Sequence, residues 1–267
     1  MSQSFERPAR PKHAFARVAI LFSGGPAPAA NAVISTAAVS FLRNGASVVG
    51  IRNGYSRLVK FGAEHPLRDG EDYMVLDHRS LKRTRNREGV MIGTARTNPG
   101  RSVSRPEHLH DPERTAPLRA VYEALCSIGV EALVSIGGDD TLKTANMFRL
   151  WQDSLPPERP RIAVVHVPKT IDNDYNGIDF TFGYFTAVDT LANLVRNILF
   201  DAEATQAYFL VESMGRSAGW LAYGAAIASE ASLVIGIEDI IDELATTETA
   251  IDSDGKAYQR RIMDLDK

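Results

Sequence analysis

Four short stretches of this sequence gather residue types suited to handling phosphate. Ser23-Gly24-Gly25-Pro26-Ala27-Pro28-Ala29-Ala30-Asn31 joins two glycines to a helix-forming run. Glycine lets a backbone approach phosphate closely, and a helix N-terminus offers unpaired N–H groups with partial positive charge. The stretch is neither the dinucleotide fingerprint nor a P-loop, because the Lys-Ser/Thr pair is missing. Taken alone, a Gly-Gly turn also serves as plain structure. Gly137-Gly138-Asp139-Asp140-Thr141 sets adjacent carboxylates on a glycine turn. One of them can cap a following helix; beside a phosphate the pair suits Mg2+, which takes one or two carboxylates plus phosphate oxygens. Pro168-Lys169-Thr170-Ile171-Asp172-Asn173-Asp174 adds a cation, a hydroxyl and two carboxylates. In extended backbone Thr170, Asp172 and Asp174 share a face, where a carboxylate can take a proton from an alcohol. A surface loop of Asx turns is the alternative. Glu212-Ser213-Met214-Gly215-Arg216-Ser217 offers an Arg that can grip phosphate bidentately or serve a surface ion pair. Together these stretches hold the inventory of phosphoryl transfer: a donor cradle, a metal, a base and cations.

The elements needed to position them can be read from the apolar pattern. Strands are predicted at Val18–Phe22, Ser47–Ile51, Ala132–Ile136, Ile162–Val167, Ala207–Val211 and Leu233–Ile237. Helices are predicted at Asn31–Asn44, Leu118–Ile128, Thr141–Trp151, Gly183–Leu199 and Ala218–Ala228, and Tyr258–Lys267 reads as the middle of another. Apolar strands alternating with helices imply βαβ units and a parallel sheet. In such sheets ligands bind beyond the strand C-termini, and each of the four stretches follows a predicted strand. The Arg-rich segment from Asn53 to Arg114 has weak periodicity, consistent with a hairpin and short helices. Residues 1–15 read as a disordered lead-in.

The composition is that of an ordinary globular chain. Its 267 residues are 44% hydrophobic and 24% charged, with a formal net charge of −3. No basic, aromatic-interleaved footprint for nucleic acid is present. No run approaches the roughly 20 apolar residues needed to cross a bilayer. The single cysteine, Cys126, excludes an intrachain disulfide and suits a reducing, cytoplasmic setting as a small core residue. His166 is expected to be structural, and His78, His108 and His110 lack metal-ligand spacing. The aromatics of Phe180–Phe185, with Trp151 and Trp220, are expected to pack, and Glu238–Glu248, apart from Glu238, to form a solvated face.

In their order the four stretches resemble 6-phosphofructokinases, from about Val18 to Glu238. Gly93-Thr94-Ala95-Arg96-Thr97-Asn98-Pro99 resembles a further family segment. The resemblance implies a phosphofructokinase-like α/β fold of Rossmann-like βαβ layers in two similar lobes, the second incomplete. It implies a phosphoryl-donor domain over 16–155 and a fructose 6-phosphate domain over 156–267. Gly24 and Gly25 would cradle the donor, Asp139 and Asp174 would serve Mg2+, and Arg96 would lie near the transferring group. Asp172 would be the base for the sugar 1-hydroxyl, with Thr170 supporting the phosphate. Met214, Gly215, Arg216 and Glu238 would contact fructose 6-phosphate. ATP-using members carry Gly where this chain has Asp140 and Lys169, so both positions resemble the pyrophosphate-dependent type. A homodimer or homotetramer is implied by the same analogy. An ATP-dependent enzyme and a non-catalytic phosphate-binding homologue are the alternatives. One departure concerns the donor loop: Ala29 stands where the family has Gly, so a positive φ there would be strained.

Overall fold

A computed structural model describes residues 14–215, 218–251 and 257–264. The chain divides into two compact units, Met1–Lys169 and Thr170–Lys267. The first is built on a five-stranded sheet in the order β3-β2-β1-β4-β5. Its members are β1 (Arg17–Phe22), β2 (Ser47–Ile51), β3 (Tyr73–Leu76), β4 (Ala132–Gly137) and β5 (Ala163–Pro168). β1, β2, β4 and β5 run parallel, and β3 pairs antiparallel with β2 at the edge. Three helices join them: α1 (Ala30–Arg43), α2 (Pro112–Ser127) and α3 (Asp139–Gln152).

Burial explains why these runs become strands. Val18 through Phe22 are fully buried, as are Leu133 and Ile136, so both faces of the central strands are covered. The core continues through Leu118, Val121, Tyr122 and Leu125 of α2, and Phe148 and Trp151 of α3. α2 starts where Asp111 accepts the N–H groups of Glu113 and Arg114, with Pro112 at its first position. The Arg-rich segment contributes β3 and three short 3-10 turns at Gly54–Ser56, Leu58–Lys60 and Pro106–His110.

β1 is the pivot of this sheet. The chain goes from β1 to β2 on one side and later returns to β4 on the other. A reversal of this kind opens a crevice at the strand C-termini, where α/β proteins bind ligands.

The structural division falls after Lys169 rather than at 155/156. Strand β5 is the reason: it pairs with β4 along its whole length, from Ala132↔Ala163 to Gly137↔Pro168.

The second unit contains α4 (Tyr184–Thr205), α5 (Trp220–Ser229) and a hairpin of β6 (Ala245–Ile251) with β7 (Ala257–Met263). It has no parallel strand pair among its described residues, unlike the second, sheet-bearing lobe expected from the sequence. Ala207–Val211 and Leu233–Gly236 are irregular and Ile237 opens a 3-10 turn, although strands were predicted at Ala207–Val211 and Leu233–Ile237. A strand needs a partner for its ladder, and no described strand flanks either segment. Their apolar side chains stay outside the core, with Leu210 fully exposed and Leu233 77% exposed. The predicted helix over Tyr258–Lys267 is replaced by β7, since β6 reads ATTETAI, with β-branched residues favouring a strand. Glu248 lies opposite Arg260 and pairs with it. Residues 265–267 and the lead-in at 1–13 lie outside the described residues. Trp151 packs as expected, whereas Trp220, Phe180 and Phe185 are each at least half exposed.

Candidate active site

The donor stretch leaves β1 at Ser23, whose N–H donates to the Ile136 carbonyl of β4 at 2.9 Å. That bond fixes the start of the loop across the reversal point. Gly24 follows with φ +94°, a conformation that side-chain-bearing residues rarely adopt. Its N–H donates to the Ala95 carbonyl at 2.9 Å, and its own carbonyl accepts the Thr94 hydroxyl at 2.6 Å. Ser23 Oγ also donates to Ala95, at 3.2 Å. The loop is therefore stitched to the segment carrying Arg96.

That segment is held on its far side as well. Asn98 Oδ1 accepts the Thr144 hydroxyl of α3 at 2.5 Å and the Gly100 N–H at 2.9 Å, while Thr97 pairs with Ser56. Arg96 thus has anchored backbone on both flanks and an exposed side chain. Buried Asn31, at the start of α1, adds a third tie. Its amide donates to the Arg87 carbonyl at 2.8 Å and accepts the Met91 N–H at 2.7 Å.

Lys169 completes the first unit's share. A Cβ built on Gly24 would lie 3.5 Å from Lys169 Cε and 3.8 Å from Nζ, and one on Gly25 4.0 Å from Nζ. The lysine stem therefore crosses the glycine turn at van der Waals distance, and a substituted Gly24 would be strained by its positive φ rather than by the lysine. Its backbone is set by the Lys169 N–H, which donates to the Gly137 carbonyl at 2.9 Å.

Asp139 and Asp140 occupy the first turn of α3, with Gly138 as the N-cap. Neither caps the helix by a side-chain hydrogen bond; they lie where the helix dipole favours negative charge. Both are exposed, and Asp139 pairs with Lys143 at 3.4 Å. Successive helical residues are about 100° apart, so the two carboxylates diverge. Among the described residues no group of three or more His, Cys, Asp or Glu side chains is arranged to hold a metal ion. Among the described residues a protein-only cage is thus absent. Exposed Asp139 on a glycine turn fits the other way of holding Mg2+, one carboxylate shared with phosphate oxygens.

The second unit's stretch, Thr170–Asp174, is a loop closed on itself. The Asp172 N–H donates to Thr170 Oγ1 at 3.0 Å, and the buried Thr181 hydroxyl donates to the Thr170 carbonyl at 2.6 Å. Asn173 sits at φ +55°, its Oδ1 accepting the Thr181 N–H at 2.9 Å and its Nδ2 donating to the Asp179 carbonyl at 3.1 Å. This left-handed residue interrupts the alternation that would have put Thr170, Asp172 and Asp174 on one face. Asp172 ends up half-buried, with Oδ1 shielded from water, and Asp174 exposed.

Of the predicted sugar-binding residues, Met214 is exposed and Gly215 has φ +131°. Arg216 lies outside the described residues. Both Glu238 oxygens accept the Gly219 N–H, at 2.9 and 3.0 Å, at the start of α5. Beside it Asp239 accepts the Tyr223 hydroxyl at 2.6 Å and the Gly236 N–H at 2.8 Å. The Tyr223 hydroxyl is pushed up to about 12, chiefly by that bond, and the same bond holds Asp239 below the usual carboxylate range. Beyond Glu238, which holds the N–H at the start of α5, the acidic stretch is more than a solvated face: Asp239 ties Tyr223 of α5 to the Gly236 turn after it.

Thr94, Ala95, Asn98, Asn31 and Thr181 support the site; all but Thr181 lie in stretches quoted from the sequence, where none was given a role of its own. Only Asn31 carried a hint, as a polar residue in the otherwise apolar, small-residue start of a helix.

The phosphofructokinase family model matches residues 17–262. A pyrophosphate–fructose 6-phosphate 1-phosphotransferase from Thermotoga maritima is 34% identical over 94% of this chain and 54% of its own length. An ATP-dependent 6-phosphofructokinase from Streptomyces coelicolor is 35% identical over 91% of this chain and 63% of its own length. The chain thus spans between about half and two thirds of the curated relatives it matches. Among solved structures, phosphofructokinase from Saccharomyces cerevisiae superposes with a TM-score of 0.64 at 28% identity, over 79% of this chain and 28% of that one. With a match that runs from β1 into β7 and takes in all four loops, this chain belongs to the phosphofructokinase family.

Proposed function

We propose that the chain belongs to an enzyme that transfers a phosphoryl group from pyrophosphate to the 1-hydroxyl of fructose 6-phosphate. The observation that carries the donor assignment is Lys169 lying across the Gly24–Gly25 turn. A compact, highly charged diphosphate suits a glycine cradle with an ammonium above it. Asp140, in the first turn of α3, adds negative charge where the α-phosphate of a nucleotide would need room. The relatives divide between both donors at similar identity, so the argument rests on these two side chains.

Asp172 takes the proton from the sugar 1-hydroxyl as its oxygen attacks the terminal phosphorus of pyrophosphate. The bridging P–O bond breaks, and inorganic phosphate leaves. Lys169 and Arg96 offset the charge on the transferring group and the leaving phosphate. Asp139, with Asp174, is assigned to Mg2+, which when bound neutralises the donor oxygens. Met214, Gly215, Arg216 and Glu238 are assigned to fructose 6-phosphate on family resemblance. The first unit would then carry donor binding and the second the sugar phosphate, in a homodimer or homotetramer.

Fructose 1,6-bisphosphate formation with pyrophosphate and ATP in parallel, with Mg2+, tests this reading. Product with pyrophosphate alone supports it. Product with ATP alone keeps the reaction and overturns the donor assignment. Fructose 6-phosphate binding without product from either donor favours a non-catalytic homologue.

A further inference from the structure

His166 is on β5, with Nε2 3.1 Å from the Gly137 carbonyl and Nδ1 3.3 Å from Ser135 Oγ. A carbonyl oxygen only accepts, so Nε2 carries a proton. A neutral ring then accepts at Nδ1, and the Ser135 hydroxyl donates to it. Ser135 is fully buried, and the Tyr55 hydroxyl lies 3.5 Å beyond it, placed to donate to Ser135 Oγ. Burial lowers the pKa of His166 from its ordinary value, although its bond to Gly137 acts in the opposite sense. The Gly137 carbonyl therefore receives two donors, His166 Nε2–H and the Lys169 N–H. Pro168, between the two donor residues, has no N–H to offer. One carbonyl thus joins the end of β4, the acidic turn after it and the backbone of Lys169.

We propose that His166, as its neutral Nε2–H tautomer, is a positioning residue for the phosphoryl-donor site. It fixes the Gly137 carbonyl, and through that carbonyl the backbone of Lys169 and the Asp139–Asp140 turn. The proposal rests on reading Gly24, Gly25 and Lys169 as the donor cradle. It assigns no proton transfer to the ring, whose task is to hold two backbone segments at one spacing.

Two polar substitutions separate positioning from packing. His166→Gln keeps an N–H near the Nε2 position, whereas His166→Asn puts its amide near Nδ1, short of Gly137. Calorimetric titration of pyrophosphate with Mg2+ should show affinity about tenfold weaker for His166→Asn and within about twofold of the parent for His166→Gln. Amide exchange at Lys169 should quicken in His166→Asn alone. Long-range 1H–15N spectra of the parent chain at neutral pH should carry the Nε2–H pattern. If His166→Asn does not fold, His166→Met, which has no donor, takes its place. An Nδ1–H ring or an imidazolium at neutral pH overturns the proposal, as does equal affinity in both variants and the parent. A parent chain that has the expected tautomer and exchange contrast yet binds no pyrophosphate overturns the donor-site reading instead.

Discussion

Asp172 and Ala29 show how single residues take on roles in this chain. Asp172 has one oxygen shielded from water and a backbone N–H tied to Thr170. As the proposed base it predicts that Asp172→Asn lowers kcat by about 10²- to 10⁴-fold, the usual contribution of general base catalysis. Fructose 6-phosphate affinity, measured by calorimetry, should change far less. A kcat near that of the parent would remove Asp172 from the role. Ala29 makes a different point. At φ 63° it occupies the left-handed region ahead of α1, where the sequence had already marked a conflict. That conformation costs an L-residue roughly 1–2 kcal/mol, partly offset because Gly loses more chain entropy on folding. Ala29→Gly should therefore raise the unfolding free energy by roughly 0.5–1 kcal/mol. Urea titration checks this, and an unchanged or lower midpoint would refute it.

At the scale of elements, the join between β4 and α3 has little tolerance. A Cβ on Gly137 would run into the Thr141 side chain, and Thr141 is itself buried in the first turn of α3. Gly137→Ala should destabilise the chain by about 1–3 kcal/mol, as overpacking of a tight contact does. Chemical denaturation measures it, and a change under about 0.5 kcal/mol, typical of a surface position, would show that the turn can move. The central strands of the first unit were legible because both their faces are covered, and α2 because Asp111 caps it locally. Val18–Phe22 and Ala132–Ile136 are apolar, short and followed by glycine, which leaves little other than a buried parallel strand. Ala207–Val211 and Leu233–Ile237 look alike in sequence yet form no strand, because an apolar run states a preference while a strand also requires a neighbour. Over Tyr258–Met263 the predicted helix failed for the opposite reason. Ile262, Met263 and Leu265 fit a helical spacing, but the partner strand β6 supplies cross-strand pairs that override it.

For the molecule as a whole, the donor assignment is the property that joins elements far apart in sequence. Lys169 follows β5 and lies beside the β1 loop, and Asp140 stands in the first turn of α3 just after β4. Replacing both by Gly, as Asp140→Gly with Lys169→Gly, should weaken pyrophosphate use and admit ATP, read as a reversal in the ratio of kcat/KM for the two donors. An unchanged ratio would place donor choice elsewhere. The sequence by itself determined the alternation of strands and helices through Pro168, the three loops that follow β1, β4 and β5, and the residue types that suit phosphoryl transfer. These are local properties, written in hydrophobic period, glycine placement and side-chain chemistry. Only the tertiary structure decided that Thr94 and Ala95 clamp the donor loop, that Lys169 crosses Gly24, and that Glu238 holds the start of α5. It also decided that His166 shares the Gly137 carbonyl with Lys169. Each of these is a contact between residues distant in the chain, and their geometry exists only once β1, β4 and β5 lie side by side or α5 meets the turn after it.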